Sequence, residues 1–281
     1  MKSAFTFEDG LYVPSEGIRG PWGENEIGGG IITGLLAHQI DQHIDGQLHP
    51  ARVTFDLFRP VPNGPLEMSS RVVREGRRIR VVDVSLVHDG IEVGRATGLL
   101  IRRSEEPPGN VARPLVGDVG SPENIPSDHW PDQPPGVGSF ENRSLRPTGG
   151  AEPAARWTRT TSPVVTGVPL TPLVRAAAAA EAASPVSNRS DEGLYFKNAD
   201  TTAYMHRLPV GEWICLEVVA RGSAEGVSVS ECALHDEQGV FGRSLVACVA
   251  TPINAMIGNR ASEAPAAQGN AADSSTSTNT P

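Results

Sequence analysis

The sequence predicts an α+β protein made of two tandem units, each a long antiparallel sheet wrapped round a central helix. Two observations predict this fold. Both halves of the chain carry one amphipathic helix and a series of strand-like segments, and several residues of the two halves match at a constant offset. The 281 residues are enough for two modest domains, so each half can bury a core of its own.

The first half opens with a helix. In IITGLLAHQIDQHI, directly after Gly28, Gly29 and Gly30, apolar residues recur at helical spacing, which predicts an amphipathic helix over 32–44. Four segments with alternating or β-branched residues follow, separated by PNG, REG and HDG turns. These predicted strands cover 51–59, 66–74, 78–88 and 91–102. We expect them to pair in meander order.

The second half repeats this set of elements. A strand is predicted first, then an alanine-rich helix, then four further strands separated by PVGE, GSAEG and DEQG turns. The first strand covers 154–161, the helix 171–183, and the later strands 194–207, 213–221, 226–235 and 240–252. The recurrence of a helix and four strands indicates a repeated unit.

Matching residues in the two halves support a duplication. Arg59 and Arg207 are 148 positions apart. The dipeptides at 94–95 and 242–243, both Gly-Arg, differ by the same offset. Within each unit the helix covers only one face of the sheet, and the sheet edge remains open. Pairing two units covers that edge, so we expect the two sheets to be joined side by side.

Two shifts in composition divide the chain. Nine prolines lie within 105–150 and interrupt any periodic segment, so we expect a linker over the surface, anchored by Ile125 and Trp130. From Ala261 onward no bulky apolar residue occurs, which predicts a disordered tail. The expected domains are an N-terminal unit at 1–104, the linker at 105–150, a C-terminal unit at 151–260 and the tail at 261–281.

Composition excludes several classes of function. The net charge of −9 and the short Arg runs argue against a nucleic-acid partner, because phosphate neutralisation needs clustered Lys and Arg. No apolar run approaches the ~20 residues of a membrane helix, so we expect no membrane partner. The three cysteines form no CxxC pair, and the first residues lack a basic region followed by an apolar stretch. We therefore expect a reduced, cytoplasmic protein.

Four segments carry a resemblance to a known family. They are RGPWGENEIGGG (19–30), FDLFRPVPNGPLEMSSRVVREGRRIRVVDVSL (55–86), FKNADTTAYMHRLPVGEWICLEV (196–218) and LHDEQGVFGRS (234–244). In them the chain resembles the double hotdog acyl-CoA thioesterases of the TesB-like, actinobacterial type. The resemblance implies two tandem hotdog units, hydrolysis of a fatty acyl-CoA to free acid and CoA in fatty acid metabolism, and no cofactor. It leaves a homodimer or a higher homo-oligomer open as the assembly state.

The resemblance also implies a catalytic site in the second half. A carboxylate late in the helix activates a water molecule, and a polar residue two positions before an Asp holds that water. At these positions the chain has Glu181, where the family has Asp, and Asn198, with Asp200 assisting Asn198. The family's third polar residue, a Gln in the last strand, falls at Val246 or Ala247, so this Gln is absent.

Each candidate site residue also has a structural interpretation. The glycines at 28–30 start a helix whose N–H groups can polarise a thioester carbonyl, although glycines also permit close packing of a helix on a sheet. Arg78, in an Arg-rich hairpin, is a candidate for binding the CoA phosphates, and a solvated turn is the alternative. Glu181 could equally be exposed to solvent, and Asn198 and Asp200 could be ordinary turn residues.

Other catalytic schemes lack their residues. His38 and His43 are five positions apart on the predicted helix, about 140° round its axis, so they are poorly placed to share a metal ion and we expect no metal site. No G-x-S-x-G elbow occurs. Two alternative functions stay open: a hotdog enoyl-CoA hydratase or dehydratase, and a non-catalytic hotdog protein that binds acyl-CoA or lipid.

Overall fold

The computed structural model describes residues 2–23, 25–112, 117–128 and 140–252, which form a ten-stranded antiparallel sheet, three α-helices and a small separate hairpin. The first half contains β1 (Phe5–Glu8), β2 (Leu11–Pro14), α1 (Gly29–Asp41), β3 (Leu48–Asp56), β4 (Glu67–Glu75), β5 (Ile79–His88) and β6 (Ile91–Arg102). The second half contains β7 (Phe140–Arg146), β8 (Ala155–Thr160), α2 (Pro172–Glu181), α3 (Ala183–Asn188), β9 (Phe196–Met205), β10 (Ile214–Ala224), β11 (Val227–Asp236) and β12 (Gly239–Ala250).

The two halves share the large sheet, whose strand order is β4-β5-β6-β3-β9-β12-β11-β10-β8-β7. Strands β3 and β9 pair antiparallel and join the halves side by side, which confirms the predicted arrangement. Thr54 and Thr202 are direct partners in this pairing, and Thr202 Oγ1 donates to Thr54 Oγ1 at 3.1 Å. These residues are 148 positions apart, so the repeat offset and the strand register coincide at this pair. A local two-fold axis therefore passes between them.

The meander order predicted for the four strands of the first half is wrong at its first strand. Strands β4, β5 and β6 do form a meander, but β3 pairs with β6 on one side and with β9 on the other. The connection from β3 to β4 is ten residues long, and at Leu66 its backbone bonds to Tyr12 of β2. This crossover lets β3 lie at the centre of the sheet, where both of its edges are hydrogen-bonded.

Helices α1 and α2 pack antiparallel against each other and against the sheet. Their contact is close because small residues line it: Thr33 Oγ1 donates to Ala177 O at 3.1 Å, and a Cβ added at Gly34 would lie 3.6 Å from Ala178 Cβ. The core residues of these helices are Ile32, Leu35, Leu36 and Ile40 of α1 and the five alanines at 176–180 of α2. The two helices thus bring the two halves into contact at their centre.

The described part of the predicted linker includes a strand. Residues 140–146 form β7, which pairs with β8 at the edge of the sheet. Between Phe140 and Leu145 the segment FENRSLR has only polar residues, so it lacks the alternation of apolar and polar residues that a buried strand shows. Its conformation is therefore decided by pairing with β8. Ile125 packs on a second, smaller apolar cluster, whereas Trp130 and the tail at 261–281 lie outside the described residues. None of the described helices is long and apolar enough to cross a membrane.

Candidate active site

Glu181 is the last residue of α2. This helix begins at Pro172 after the N-cap Thr171, whose side chain accepts a hydrogen bond from a first-turn N–H group. Its alanines combine the highest helix propensity with the smallest side chains, so α2 approaches α1 closely. Ser244 Oγ donates to Ala180 O at 2.9 Å and ties the end of the helix to β12. Glu181 is therefore carried by a rigid element at the contact between the two halves.

The Glu181 carboxyl group lies against the first turn of α1. A Cβ added at Gly29 would overlap Glu181 Oε1, so only glycine leaves room for the carboxyl group there. Gly28 is the N-cap of α1, and Gly29 is the first residue of the helix. The first N–H groups of a helix have no partner within it and form the positive end of the helix dipole. The site thus combines a carboxyl group from one half with backbone donors from the other.

Burial raises the pKa of the Glu181 carboxyl group from 4.5 to about 7. The Asn198 amide lies beside this group and acts in the opposite direction, lowering its pKa. Asn198 Nδ2 is nevertheless buried and forms no hydrogen bond with any described residue. The structure therefore brings together two of the predicted catalytic residues, with the Asn198 amide close enough to the Glu181 carboxyl group to lower its pKa. A carboxylate with a pKa near 7 can take up a proton at neutral pH.

A β-bulge turns Asn198 towards the helices. Ala247 of β12 pairs with Asp200 of β9. The next residue, Cys248, pairs with Asn198, so Ala199 is the extra residue of a bulge. Cys248 is buried, and its Sγ atom contacts α3. Because paired residues point to the same face, Asn198 lies on the helix-facing side of the sheet, whereas Asp200 and Ala247 lie on the opposite side.

Asp200 is not brought into contact with Glu181. Its carboxylate accepts a hydrogen bond from the Ala247 N–H at 2.7 Å. Burial raises the pKa of Asp200, the Ala247 N–H lowers it, and the facing Asp56 of β3 raises it. In the described part of the chain, Asp200 makes no hydrogen bond to Glu181 or Asn198. The hydrogen bond from Ala247 attaches β12 to the bulge of β9. Asp200 is therefore connected to Asn198 only through the backbone of the bulge.

A small apolar cavity lies one turn of α2 from Glu181. Ala178, three residues before Glu181, lines it together with Gly30, Val164 and Phe140. A Cβ added at Gly30 would lie 2.9 Å from Phe140 Cζ and 3.0 Å from Ala178 O, so glycine again permits the close approach. Phe140 comes from β7, within the segment that sequence reasoning assigns to the linker. The carboxyl group and this cavity therefore lie along the same seam between α1 and α2.

Arg78 lies away from these groups. It is exposed in the turn between β4 and β5. The register of β5, β6 and β3 places this turn beside the start of β3, whereas Asp200 pairs with Asp56 at the end of β3. The hairpin extends into solvent because β4 is an edge strand. The structure therefore does not join Arg78 to the Glu181 site.

A larger cavity of about 620 Å³ lies at the other end of β9, where His49, Arg103, Met205 and Arg207 line it with neighbouring residues. It contains neither Glu181 nor Asn198, so the site is located by its buried polar groups and not by cavity size. Among the residues that the structure describes, no group of three His, Cys, Asp or Glu side chains could hold a metal ion.

Thr201 is a polar residue of the site that sequence reasoning does not single out. Its side chain is fully buried on the helix-facing side of β9, and its Oγ1 atom has no hydrogen-bond partner in the described ranges. Threonine is common in strands, so the residue type carries no signal of its own. Only the strand register and the burial distinguish it from the neighbouring Thr202.

Two family models match the chain. A model of the acyl-CoA thioesterase N-terminal domain matches residues 18–101. A model of the acyl-CoA thioesterase C-terminal domain matches residues 119–247. A comparison with curated proteins gives no significant match. Residues 102–118, between the halves, separate the two matched ranges.

Several solved structures share the fold over nearly the whole chain. The tesB protein of Mycobacterium avium subs paratuberculosis is 17% identical, with a TM-score of 0.64, and the match covers 86% of this chain and 93% of that chain. The acyl-CoA thioesterase II TesB2 of Mycobacterium marinum is 14% identical, with a TM-score of 0.59 and coverage of 79% and 90%. A conserved protein of unknown function with a hot dog fold, from Alicyclobacillus acidocaldarius, is 15% identical, with a TM-score of 0.63 and coverage of 89% and 96%. These likenesses confirm the predicted tandem hotdog architecture.

Proposed function

The chain belongs to the acyl-CoA thioesterase family, since the models of its two domains together match more than half of the residues, and we propose that it hydrolyses a fatty acyl-CoA to the free acid and CoA. One observation carries this proposal: the buried Glu181 carboxyl group, with a pKa of about 7, lies beside both the unpartnered Asn198 amide and the first turn of α1. Thioester hydrolysis by water needs a base, a group that holds the water, and donors for the oxyanion. These three groups supply them.

In the proposed reaction, Glu181 is the general base. A water molecule accepts a hydrogen bond from Asn198 Nδ2 and gives a proton to the Glu181 carboxylate while its oxygen attacks the thioester carbonyl carbon. The carbonyl oxygen becomes an oxyanion, and the N–H groups of Gly29 and Gly30 stabilise it. The C–S bond then breaks, and Glu181 returns the proton to the leaving CoA sulfur. No covalent intermediate with the protein forms, and Glu181 ends the cycle ionised.

Asp200 has a positioning role in this proposal. Its hydrogen bond to the Ala247 N–H supports the bulge that separates Asn198 from Asp200. In a regular strand, residues two positions apart point to the same face, so without the bulge Asn198 and Asp200 would share a side. Asn198 would then point away from α2 and from Glu181. Asp200 therefore acts on the water through the orientation of Asn198.

The apolar cavity beside Gly30 is the proposed start of the acyl path. It lies one helical turn from Glu181 and has a volume of about 10 Å³, so a chain whose carbonyl carbon reaches the activated water can enter it only when the Phe140 ring moves aside. Its lining by Ala178, Val164 and Phe140 is apolar, as burial of an alkyl chain requires. Phe140 is the bulkiest of these side chains and approaches Gly30 most closely. In this proposal Phe140 limits the length of the acyl chain.

Phe140→Ala is therefore expected to shift the preference towards longer acyl chains. Each additional buried methylene contributes about 0.8 kcal/mol, so two of them raise the relative kcat/KM of the longer substrate by about tenfold. The measurement is kcat/KM across a series of saturated acyl-CoAs for the wild type and the variant. Phe58→Ala is the matched control, because Phe58 is exposed and does not line the cavity. An unchanged chain-length profile in Phe140→Ala would show that the acyl chain takes another path.

Hydrolysis itself is tested with the purified full chain, acyl-CoAs of several chain lengths and a thiol reagent that detects released CoA. We expect release of CoA that depends on the protein and on an acyl-CoA. Calorimetric binding of acyl-CoA without any turnover would instead support a non-catalytic binding protein. That second function is favoured by one observation, the apolar Val246 and Ala247 where the resemblance implies a Gln.

A further inference from the structure

Thr201 carries a buried hydroxyl group that has no evident structural use. Its side chain has 0% exposure, and Oγ1 forms no hydrogen bond with any residue that the structure describes. Buried side-chain hydroxyl groups are hydrogen-bonded in the large majority of cases, because an unsatisfied one costs stability. The Thr201 hydroxyl is therefore available to bind a water molecule or a group of the substrate.

The position of Thr201 places this hydroxyl in the proposed site. On β9 it follows the bulge that carries Asn198, and both side chains lie on the helix-facing side. Two residues further along the same side, Ala203 pairs with Ser244, whose Oγ binds Ala180 O, the carbonyl just before Glu181. Thr201 thus lies between the Asn198 amide and the point at which α2 is tied to β12. It is the second unpartnered polar group on this short stretch of strand.

The cross-strand partner of Thr201 is Val246, and this pairing bears on the missing Gln. Of the two residues at which the resemblance implies a Gln, Val246 is buried and faces the helices, whereas Ala247 lies on the opposite side. A Gln at position 246 would therefore face the helices and Glu181, whereas a Gln at position 247 would not. Side chains of direct cross-strand partners are about 5 Å apart at Cβ. The Thr201 hydroxyl therefore lies next to the position that the side-chain amide of a Gln at 246 would occupy.

We propose that Thr201 is a further water-positioning residue of this thioesterase, which takes the place of the absent amide on β12. The proposal rests on the proposed function. A water molecule has two hydrogen atoms to donate and two lone pairs. In the site, one hydrogen points to Glu181 and the other to Thr201 Oγ1, one lone pair accepts from Asn198 Nδ2, and the remaining lone pair faces the thioester carbon. Each of the four hydrogen-bonding directions of the water molecule then has a partner, so the lone pair that attacks points towards the thioester carbon.

The test uses Thr201→Val, which keeps the shape of the side chain and removes the hydroxyl. We expect kcat for acyl-CoA hydrolysis to fall by about tenfold, with KM unchanged and with the melting temperature equal to or above that of the wild type. Thr201→Ser restores a hydroxyl and is expected to recover most of the kcat. Thr202→Val is the matched control: Thr202 is the next residue, faces the other side and donates to Thr54, so its loss lowers the melting temperature and leaves kcat unchanged.

Three outcomes would overturn this role for Thr201. They are a wild-type kcat in Thr201→Val, a fall in kcat that follows a loss of folded protein, and a Thr201→Ser variant as slow as Thr201→Val. Failure of the proposed function has a different signature, because the wild-type protein itself would then release no CoA from any acyl-CoA, whereas a Glu181→Gln variant with the wild-type rate would reject only the assignment of the base. An inactive Glu181→Gln together with a fully active Thr201→Val would reject only the role of Thr201.

Discussion

Glu181→Gln is expected to lower kcat for acyl-CoA hydrolysis by about 10²- to 10⁴-fold, the range that a positioned general base contributes. Gln has nearly the same size as Glu, so the packing against Gly29 is kept, but its amide cannot take up the proton of the water. The measurement is the initial rate of CoA release under saturating acyl-CoA. Glu67→Gln is the control, because Glu67 is exposed on the edge strand β4. Turnover by Glu181→Gln at the wild-type rate would contradict the mechanism.

The same variant is expected to be more stable than the wild type at pH 8. The folded state holds the pKa of Glu181 at about 7, above its ordinary value of 4.5, because ionisation of a buried carboxyl group is costly. The folded protein therefore binds more protons than the unfolded chain between these pH values, and stability is lost as the pH rises through about 7. Glu181→Gln removes this cost, which is on the order of 2 kcal/mol. Urea unfolding of both proteins at pH 8 measures it.

Gly29→Ala is expected to lower kcat by about a hundredfold while the chain still folds. The added Cβ would overlap Glu181 Oε1, so the carboxyl group must leave its place beside the first turn of α1. A displacement of about 1 Å in a catalytic group can cost this much. Alanine itself favours a helix by about 1 kcal/mol over glycine, so no loss of helix α1 is expected. The readouts are kcat and the circular dichroism spectrum.

Gly46→Ala is the matched control for Gly29→Ala. A Cβ at Gly46 would meet no atom within 4 Å, and the residue lies after α1, away from Glu181. We expect this variant to hydrolyse acyl-CoA like the wild type. A Gly29→Ala variant with the wild-type kcat would show that Glu181 acts from another position, or that it does not act at all.

Most of the fold is predictable from local patterns, because apolar periodicity and turn residues mark the helices and the strands of both halves. The β1–β2 hairpin and α3 are not predicted, and two further exceptions are decided by contacts between distant parts of the chain. Strand β3 lies at the centre of the sheet because a ten-residue crossover separates it from β4. Strand β7 has a polar sequence and forms only because β8 offers it an edge.

The candidate site is predictable only in part, for a similar reason. Residue types in a familiar pattern suffice to indicate Glu181 and Asn198, and the structure places them side by side. The spacing N-x-D also implies that Asn198 and Asp200 share a face, and the bulge at Ala199 reverses this. A bulge depends on the register with β12, which no local motif contains. The unpartnered hydroxyl of Thr201 likewise becomes visible only when its neighbours are known.

The pH dependence of kcat for the wild-type protein tests most directly whether Glu181 is the base. Burial places the pKa of Glu181 at about 7, and only the ionised carboxylate can accept the proton of the water. Under saturating acyl-CoA we predict that kcat rises tenfold per pH unit below about pH 7 and becomes constant above it. A kcat that is constant between about pH 5.5 and pH 8, as for a carboxyl group with the ordinary glutamate pKa of 4.5, would contradict this assignment.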